Sequence, residues 1–583
     1  MKKFEMAKMT NWYEPSMLVN IALKVVLSGT FGNYADRREL MAALANDKKN
    51  ENDEFDELIK LYRTGKNEIW VDVVSDIGDG FNSTYSVAHK VAQDSLQFTE
   101  QFVEIDNADK QPFYTTKRGN ILVFGGDEIY PYPTAEMYFK KFRKPYSSVR
   151  NESDDQFADM YAIPGNHDWY DGLGNFIKIF CQKRSIGRWQ TRQRRSYFAL
   201  PLPNNYWLWG TDIQLNSNID EPQMEFFKNI AKNKMEEGDK IILVTAEPAW
   251  VYNQIRKNDK SFERLNFFVD KFVKDKFGEI EKKFRLALTL TGDLHHYARY
   301  CTNDRGHQYI TAGGGGAFLH LTHNLPTTLD QGNEKLKQCF PEKKQSIKLL
   351  FGNFNFPLKN IGFTFLLSTV YFLFFWFIQS NKINMSKRTL LNDFEGIHFL
   401  TFFKETIKVL LYSPATTIIA LLVFVGFYKF TDTNIKKRGA HIFGVFHAFL
   451  QVLLLFITMY IIANVSFFDK WNFGTWWKAM ITIETFLIGG FLASTTMGIY
   501  LFLSNLFLGM HINEASSSLA SPDYKNFLRI HIHEKGITIY PIGITKVQKK
   551  WKQQGEGDSI SFEGDYFKST LIEKPIELIA SEI

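Results

Sequence analysis

Two hydrophobic patterns divide the chain. From residue 67 to residue 330, short apolar runs alternate with segments of helical character, and each run ends in a polar turn. The runs lie at 68–76, 120–127, 159–168, 206–212, 240–248, 285–296 and 308–316. Buried strands that alternate with helices are typical of a layered α/β domain, so we predict one here. Residues 1–66 are predicted to form a helical segment ahead of it.

Longer apolar stretches make up the second pattern. A basic linker at 331–358 precedes them. The region 359–510 contains four of these stretches, at 361–379, 409–427, 441–468 and 486–510. Each has about the length that a bilayer requires. A buried core helix is the alternative for any one stretch, but four in succession favour a transmembrane domain. Residues 511–583 contain two runs of alternating polarity around a turn, which predict a small β-rich C-terminal unit.

The net charge is also distributed unevenly between the two regions. Residues 351–510 hold 27 of the 54 Phe and carry 12 basic and 6 acidic side chains, so they account for the whole net charge of +6. The rest of the chain is neutral, which excludes the basic face of a nucleic-acid-binding protein. Lys is more frequent in the segments that lie on the same side of the predicted spans as the α/β domain than in the segments on the opposite side. By the positive-inside rule, this predicts a multi-pass protein of the plasma or inner membrane with a cytoplasmic α/β domain. The lipid bilayer is thus an expected partner, and the sequence leaves the oligomeric state open.

The candidate chemistry lies where the apolar runs end. Acidic, amide and imidazole side chains follow five of the runs, at Asp76 and Asp79, Asp127, Asn166 to Asp168, Glu247, and Asp293 to His296. Carboxyl ends of strands meet at one edge of an α/β sheet, where ligands bind. One Asp after one strand is usually a turn residue. Five such loops would bring together like charges that cations must neutralise, so we predict a metal centre with two ions.

The order of these motifs resembles the calcineurin-like metallophosphoesterase superfamily. Asp-x-x-Asp at 76–79, GGDE at 125–128, GNHD at 165–168 and GDLHH at 292–296 carry the resemblance. It implies a two-sheet α/β sandwich that holds two bridged metal ions. By this resemblance, Asp127 is the bridging ligand, Asn166 is a ligand of one ion, and His167 is the catalytic acid. Asp168 would orient His167, as carboxylate partners of histidines commonly do.

Three ligand positions depart from the family pattern. The first-motif His is replaced by Gly78, the fourth-motif His by Ala246, and the first His of the fifth motif by Asp293. Asp79 and Glu247 stand beside the first two and could substitute. The predicted metal ligands are Asp76, Asp79, Asp127, Asn166, Glu247, Asp293 and His295. Such an oxygen-rich set favours Mn²⁺ or Mg²⁺, with Fe²⁺ as a further candidate, over Zn²⁺.

Three further residues are predicted to bind substrate phosphate. Asn82 precedes a helix whose N-terminus could hold an anion, and His296 and Arg299 follow the last motif. The alternatives are a helix cap, a surface histidine and a structural ion pair. The predicted function is a membrane-anchored phosphoesterase that hydrolyses a mono- or diester by a water activated by two metals. The substrate is a lipid-linked phosphoester or a nucleotide. The alternative is a weakly active or inactive metal- or nucleotide-binding membrane sensor or scaffold.

Overall fold

The chain forms two compact units. The computed structural model describes residues 3–21, 23, 48–105, 111–149, 157–213, 219–329, 333–386, 395–436, 439–465 and 477–581. Unit 1 comprises Met1–Thr10, Asn20–Ser346 and Ala520–Ile583, and unit 2 comprises Asn11–Val19 and Ile347–Leu519. Of the helical segment predicted at 1–66, residues 15–21 and 48–62 are helical, whereas 24–47 lie outside the described residues.

In the N-terminal part of unit 1, strands form at the predicted apolar runs. The C-terminal residues of the unit contribute further strands. They are β1 Ile69–Val74, β2 Ser95–Phe98, β3 Tyr114–Lys117, β4 Ile121–Gly125, β5 Ala158–Ile163, β6 Ser185–Ile186, β7 Trp189–Thr191, β8 Phe198–Pro201, β9 Tyr206–Gly210, β10 Lys240–Val244, β11 Arg285–Thr291, β12 Tyr297–Cys301, β13 Gln308–Ala312, β14 Lys335–Phe340, β15 Lys525–His533, β16 Gly536–Ile544, β17 Trp551–Gln554, β18 Ser561–Gly564, β19 Thr570–Leu571 and β20 Ile576–Ile579.

Two mixed sheets confirm the predicted α/β sandwich. The first has the order β19-β16-β15-β1-β4-β5-β7-β6, and the second has the order β14-β12-β13-β11-β10-β9-β8. Strands β1, β4 and β5 are parallel neighbours in the first sheet. Strands β9, β10 and β11 are parallel neighbours in the second. Parallel neighbours place their carboxyl ends, and the loops that follow, at one edge of each sheet.

Helices of unit 1 cover the outer faces of the sheets. They are α1 Lys48–Tyr62, α2 Phe81–Val91, α3 Ala135–Met137, α4 Lys144–Ser147, α5 Gly174–Phe180, α6 Glu221–Asn233, α7 Ala249–Ile255 and α8 Ser261–Phe272. Alternation along β4 explains this layering. Ile121 and Val123 face the core between the sheets with Leu208 and Ile242, whereas Phe124 faces the helical side. A strand buried on both faces in this way needs apolar residues at successive positions.

The C-terminal residues are β-rich, as the sequence predicts, and they extend the first sheet. Strand β15 pairs antiparallel with β1, from Ile69 opposite Ile532 to Val73 opposite Leu528. A buried ion pair joins the same strands, because Arg529 Nε lies 2.9 Å from Asp72 Oδ1 and both side chains are at most 1% exposed. Pairing with β15 removes the open edge that β1 would otherwise present to solvent. The C-terminal segment is therefore an integral part of the first sheet.

The predicted basic linker at 331–358 is also partly folded. Strand β14 pairs antiparallel with β12 at the edge of the second sheet. Helix α9, Lys343–Leu350, follows it. Ser346 Oγ accepts a hydrogen bond of 2.8 Å from the backbone N–H of Thr322. These contacts place residues up to 346 in the α/β unit and not in a connecting segment.

Unit 2 consists of apolar helices. They are α10 Phe356–Lys359, α11 Ile361–Ser386, α12 Phe399–Tyr412, α13 Pro414–Lys429, α14 Ala440–Val465, α15 Trp477–Leu503 and α16 Ile512–Ser517. Among the described residues, three helices are long and apolar enough to cross a membrane, at Ile361–Ser380, Ala440–Val465 and Ala479–Leu508. The count becomes four if α12 and α13 together form one span.

The second predicted span, 409–427, is broken. Helices α12 and α13 meet at an angle of 108°, and Ser413 between them is extended, with φ −124° and ψ 92°. Pro414 explains the break, because a residue that precedes proline is disfavoured in the helical region and the proline itself lacks an N–H donor. The predicted second span thus corresponds to a bent helix pair, which is a span only if α12 and α13 cross a membrane together.

Close contacts and polar pairs link the apolar helices. A Cβ added at Gly490 of α15 would lie 1.7 Å from Ser368 Oγ of α11, so the two helices require a residue without a side chain there. Tyr371 Oη donates a hydrogen bond of 3.0 Å to Gln451 Oε1. Gln451 Nε2 in turn lies 3.2 Å from His447 Nε2. Such pairs satisfy polar groups that an apolar surrounding would otherwise leave unbonded.

Candidate active site

The predicted site residues lie at the carboxyl edges of the parallel strands. Asp76 follows β1 and Asp127 follows β4 by two residues each, and Asn166, His167 and Asp168 follow β5. Glu247 and Asp293 come after β10 and β11 of the second sheet. The two sheets thus each contribute loops that carry acidic side chains, as the motif order predicts.

Three of these acids share an unusual backbone conformation. Asp76, Asp127 and Asp293 have φ values of 57°, 53° and 63°, in the left-handed region. Each is the second residue after its strand, and each is among the residue types that tolerate this conformation best. Strained backbone of this kind is retained where the surrounding structure requires a particular side-chain direction. The shared turn therefore aims the three carboxylates from their strand ends.

Tyr130 connects Asp76 and Asp127, which precede it in the sequence, with His295. Its hydroxyl lies 2.8 Å from Asp76 Oδ1 and 3.2 Å from Asp127 Oδ2. His295 Nε2 lies 3.0 Å from the same oxygen of Tyr130. The backbone N–H of Asp293 adds a hydrogen bond of 2.8 Å to Asp76 Oδ2. One phenol thus brings together two carboxylates and an imidazole that arise from three loops.

The loop after β5 fixes the position of His167. Its backbone N–H donates a hydrogen bond of 2.8 Å to Asp127 Oδ1, and its Nδ1 lies 2.8 Å from the carbonyl oxygen of Pro131. Since a carbonyl only accepts, Nδ1 carries the proton in this contact. The imidazole orientation thus depends on a backbone carbonyl, a partner that the sequence did not identify.

The side chain of Asp168 accepts hydrogen bonds from the backbone of this loop and of a neighbouring one. Its Oδ2 accepts hydrogen bonds from the N–H groups of Gly165 at 2.9 Å and Glu128 at 3.2 Å. Tyr138 Oη donates to its other oxygen. These contacts join the loops after β4 and β5, so Asp168 holds the segment that carries His167. The predicted role of Asp168 in orienting the imidazole of His167 stays a prediction.

The carboxylates of the site repel one another. Burial, and then the charges of Asp76, Asp168 and Asp293, raises the pKa of Asp127 well above its usual value. Burial and then the charge of Asp293 do the same to the pKa of Asp76. Without a cation these groups are stabilised in their protonated forms, and a bound cation would reverse the shift. The acid cluster therefore favours a positively charged ligand.

Glu247 and Asp293 form the second-sheet side of the site. Burial and then the charge of Asp293 raise the pKa of Glu247 to about 7. Tyr252 Oη donates a hydrogen bond to Asp293 Oδ2, and the Arg256 guanidinium stacks 3.4 Å above the ring of Tyr252. Tyr252 and Arg256 belong to the loop and helix that follow Glu247, and no sequence motif identified them. They extend the polar side of the site beyond Asp293.

Asp79 is held by groups other than the acid cluster. Its Oδ1 accepts a hydrogen bond of 2.9 Å from the backbone N–H of Thr10, and Lys141 Nζ lies 3.8 Å from the same oxygen. The N–H of Phe318 donates to Oδ2 at 3.3 Å. Fully buried and bonded in this way, Asp79 has its charge satisfied by the protein itself. Its predicted role as a metal ligand stays a prediction.

The three predicted phosphate-binding residues have different surroundings. Asn82 lies in the first turn of α2, where the N–H of Phe81 already donates to the carbonyl of Ala7 at 2.9 Å. His296 is 1% exposed, and its Nδ1 lies 3.3 Å from the carbonyl oxygen of His320. The surface position that was the alternative for His296 is therefore wrong, and the predicted role of Asn82 is unchanged.

Arg299 takes part in a structural ion pair. Its Nε and Nη2 both contact the Glu573 carboxylate, with Nε–Oε1 at 3.0 Å. Asp304 and Gln308 accept further hydrogen bonds from Nη1 at 3.1 and 3.0 Å. With its donors committed in this way, the guanidinium joins β12 to the C-terminal segment. These contacts correspond to the ion-pair alternative, and the predicted role of Arg299 in binding substrate phosphate stays a prediction.

A glycine-rich segment lies against the site. A Cβ added at Gly313 would lie 2.5 Å from Asp76 Oδ2 and 2.4 Å from the carbonyl oxygen of Leu294, so only glycine fits there. The carbonyl of Phe318 lies 2.8 Å from His295 Nδ1. His320 stacks on His295 with ring centroids 4.0 Å apart. The segment thus positions His295 from two sides.

The donor set fits a divalent cation in its chemistry. Asp76, Asp127 and Asp293 supply carboxylate oxygens, Tyr130 supplies a phenol oxygen and His295 supplies one nitrogen, a mixture that suits Mg²⁺ or Mn²⁺. In the part of the chain that the structure describes, however, no three His, Cys, Asp or Glu side chains stand close enough together to hold an ion.

Comparison with known proteins agrees with the motifs. Residues 69–297 match the family model of calcineurin-like phosphoesterases. No curated protein matches the chain. Solved structures that it resembles include GAP50, the anchor in the inner membrane complex of Plasmodium, at 14% identity and a TM-score of 0.30, over 46% of this chain and 77% of that one. At this identity and TM-score, the similarity supports no inference beyond the family match.

Two phosphatase structures are also similar. Purple acid phosphatase PPD1 from yellow lupin has 14% identity and a TM-score of 0.29, and the match covers 44% of this chain and 46% of that one. PhoD has 10% identity and a TM-score of 0.25, over 44% and 59% of the two chains. The chain thus spans about half the length of these two proteins. The family match and the two-sheet fold together place residues 69–297 in the calcineurin-like phosphoesterase family.

Proposed function

We propose that the chain is a membrane-anchored, metal-dependent hydrolase of phosphoric esters. The observation that carries the proposal is the convergence of Asp76, Asp127 and His295 on the hydroxyl of Tyr130, within residues that match the phosphoesterase family. Buried acids with raised pKa values need a cation to ionise together. A site that gathers them at the edges of two sheets is suited to cation-assisted chemistry on an anionic substrate.

Asp76, Asp127 and His295 meet at the hydroxyl of Tyr130, and the backbone N–H of Asp293 donates to Asp76. Asn166 and Glu247 are the further candidate ligands. Divalent cations held by these groups would bind phosphoryl oxygens and lower the pKa of a water molecule. The oxygen-rich set supports Mn²⁺ or Mg²⁺ in preference to Zn²⁺.

His167 is the proposed proton donor to the leaving oxygen. Its Nδ1 is directed to Pro131 and its backbone to Asp127, so the ring is oriented and Nε2 is the nitrogen that exchanges a proton with substrate. Burial lowers the pKa of His167, which favours release of that proton once the imidazole is charged. Asp168 contributes by holding the loop on which His167 lies.

The apolar helices of unit 2 support membrane anchoring. Three or four of them are long and apolar enough to span a bilayer, and the distribution of Lys around them supports a cytoplasmic α/β unit. A phosphoester carried by a lipid is the substrate class most consistent with a tethered site, and a soluble nucleotide is the other class to test. Both contain the phosphoester bond that the proposal requires.

The experiment uses the full-length protein purified in detergent. With added Mn²⁺ or Mg²⁺ we expect hydrolysis of an aryl phosphomonoester or diester, and chelation should abolish it. Asp127→Asn and His167→Ala should each lower turnover by at least about a hundredfold. Asp565→Asn, at an exposed acid of the C-terminal segment, is the control that should leave it unchanged. Metal binding without turnover on either ester would favour a sensor or scaffold instead.

A further inference from the structure

Two buried lysines lie beside the first-motif acids. Lys141 is 5% exposed, and its Nζ donates hydrogen bonds to Thr10 Oγ1 at 3.0 Å and to the carbonyl of Tyr130 at 2.8 Å, next to Asp79. Lys525 is fully buried, and its Nζ donates to the carbonyl of Ala317. A buried ammonium is costly unless nearby anions compensate for the loss of water.

Lys525 reaches the site from the far end of the chain. It is the first residue of β15 and lies 228 residues beyond Tyr297, where the family match ends. Its acceptor Ala317 belongs to the glycine-rich segment, and the N–H of Ala317 donates to the carbonyl of Asp76 at 2.8 Å. Lys525 is therefore two hydrogen bonds from the backbone of Asp76.

The charge of Lys525 acts on the acid cluster. The carboxylates that stabilise its ammonium are those of Asp79, Asp523 and Asp76. A buried ammonium thus stands at the glycine-rich segment that borders the acid cluster.

We propose that Lys525, together with Lys141, is a built-in counter-ion of the candidate metal centre. The two ammonium groups compensate the charge of Asp79 and reduce the cost of ionising Asp76. They stabilise the fold when no metal is bound, and they oppose the binding of divalent cations near Tyr130. The affinity of the centre for metal is therefore set by residues outside its ligand set. This inference rests on the proposed metal-dependent function.

A counter-ion has opposite effects on stability and on metal binding. Replacing Lys525 by Met keeps the length of the side chain and removes its charge, so the acids lose a counter-ion and the metal-free protein becomes less stable. A divalent cation then meets one positive charge fewer, and we expect about tenfold tighter Mn²⁺ binding. A lysine that served only to support the loop would give the reverse, since a distorted site binds metal more weakly.

The test measures Mn²⁺ binding to the full-length protein in detergent by calorimetry, and thermal unfolding with and without Mn²⁺. Lys525→Met should lower the metal-free melting temperature and enlarge the rise that Mn²⁺ produces. Lys525→Arg retains the charge and should bind Mn²⁺ as the wild type does. Lys535→Met is the matched control, because Lys535 lies in the same C-terminal segment and is exposed. It should leave Mn²⁺ binding unchanged.

The outcomes separate this inference from the function on which it rests. Unchanged or weaker Mn²⁺ binding by Lys525→Met would overturn the counter-ion role while the wild type still binds. Absence of Mn²⁺ binding by both proteins would instead contradict the proposed metal-dependent function. If Lys525→Met does not accumulate as folded protein, Lys141→Met tests the same claim at the other ammonium, with the same expected increase in affinity.

Discussion

At the scale of single residues, Tyr130 joins more groups of the candidate site than its sequence position suggests. Motif spacing predicts Asp76, Asp127 and His295, but a tyrosine three residues after Asp127 carries no signal of its own in a single sequence. Its position between the acids depends on the turn that follows β4, which only the folded chain reveals. The strained conformation of Asp76, Asp127 and Asp293 was equally hidden, since Asp is common in ordinary turns.

Tyr130→Phe tests this contact. The variant removes the hydroxyl that joins two carboxylates and an imidazole, so we expect kcat/KM to fall by about ten- to a hundredfold and Mn²⁺ binding to weaken. Steady-state kinetics with an aryl phosphoester and calorimetry measure the two effects. Tyr300→Phe is the control, because Tyr300 is also buried but donates to Pro326. Equal losses in both variants would show a general effect of removing a buried hydroxyl.

Arg529→Met tests the buried ion pair of the first sheet. It leaves Asp72 buried without its charged partner, so the free energy of unfolding should fall by about 3 to 5 kcal/mol. Urea denaturation followed by tryptophan fluorescence measures the change. Lys117→Met provides the comparison, because Lys117 pairs with Glu68 at the surface, where their side chains are 66% and 47% exposed. Exposed pairs contribute little, and similar losses in both variants would contradict the account.

The pH dependence of stability includes a contribution from His307. Burial lowers its pKa to about 3, below the value of about 6.5 in an unfolded chain. The unfolded state therefore binds a proton that the folded state does not, and stability is lost as the pH falls from about 6.5 towards 3. His307→Gln should reduce the pH slope of the unfolding free energy in that range by about one proton. An unchanged slope would contradict the assignment.

At the scale of elements, the sequence predicts where the strands lie better than it predicts which strands pair. Apolar runs locate β1, β4, β5, β10 and β11 because strands buried on both faces are continuous in hydrophobicity. The pairing of β15 with β1 joins residues as far apart as Ile69 and Ile532, and no local pattern encodes it. The break between α12 and α13 had a local signal in Pro414, which hydropathy alone does not register.

Removal of the C-terminal segment tests its place in the first sheet. A chain that ends at Leu519 loses β15 and the partner of Asp72, and it exposes the edge of β1. We expect it not to accumulate as a protease-resistant α/β unit. A chain that ends at Ile579 retains every strand described here and is the control. Limited proteolysis of both proteins in detergent extracts makes the comparison, and equal resistance would contradict the integral role of β15.

At the scale of the whole molecule, composition and function are divided between the units. The neutral unit 1 carries the acids and histidines of the candidate site, and the apolar helices of unit 2 carry most of the hydrophobic surface that a bilayer would cover. The family match covers residues 69–297, whereas unit 1 also requires residues that follow the apolar helices. The phosphoesterase fold was therefore predictable from motifs, and its completion by the C-terminal segment was not.

The central claim is that this site hydrolyses phosphoric esters with the help of a divalent cation. The most direct measurement is the release of an aryl alcohol from its phosphoester by the purified full-length protein, titrated with Mn²⁺ after chelation. The account predicts turnover that rises with Mn²⁺ and is lost in Asp127→Asn. Turnover that is independent of metal, or Mn²⁺ binding without hydrolysis of either a monoester or a diester, would contradict it.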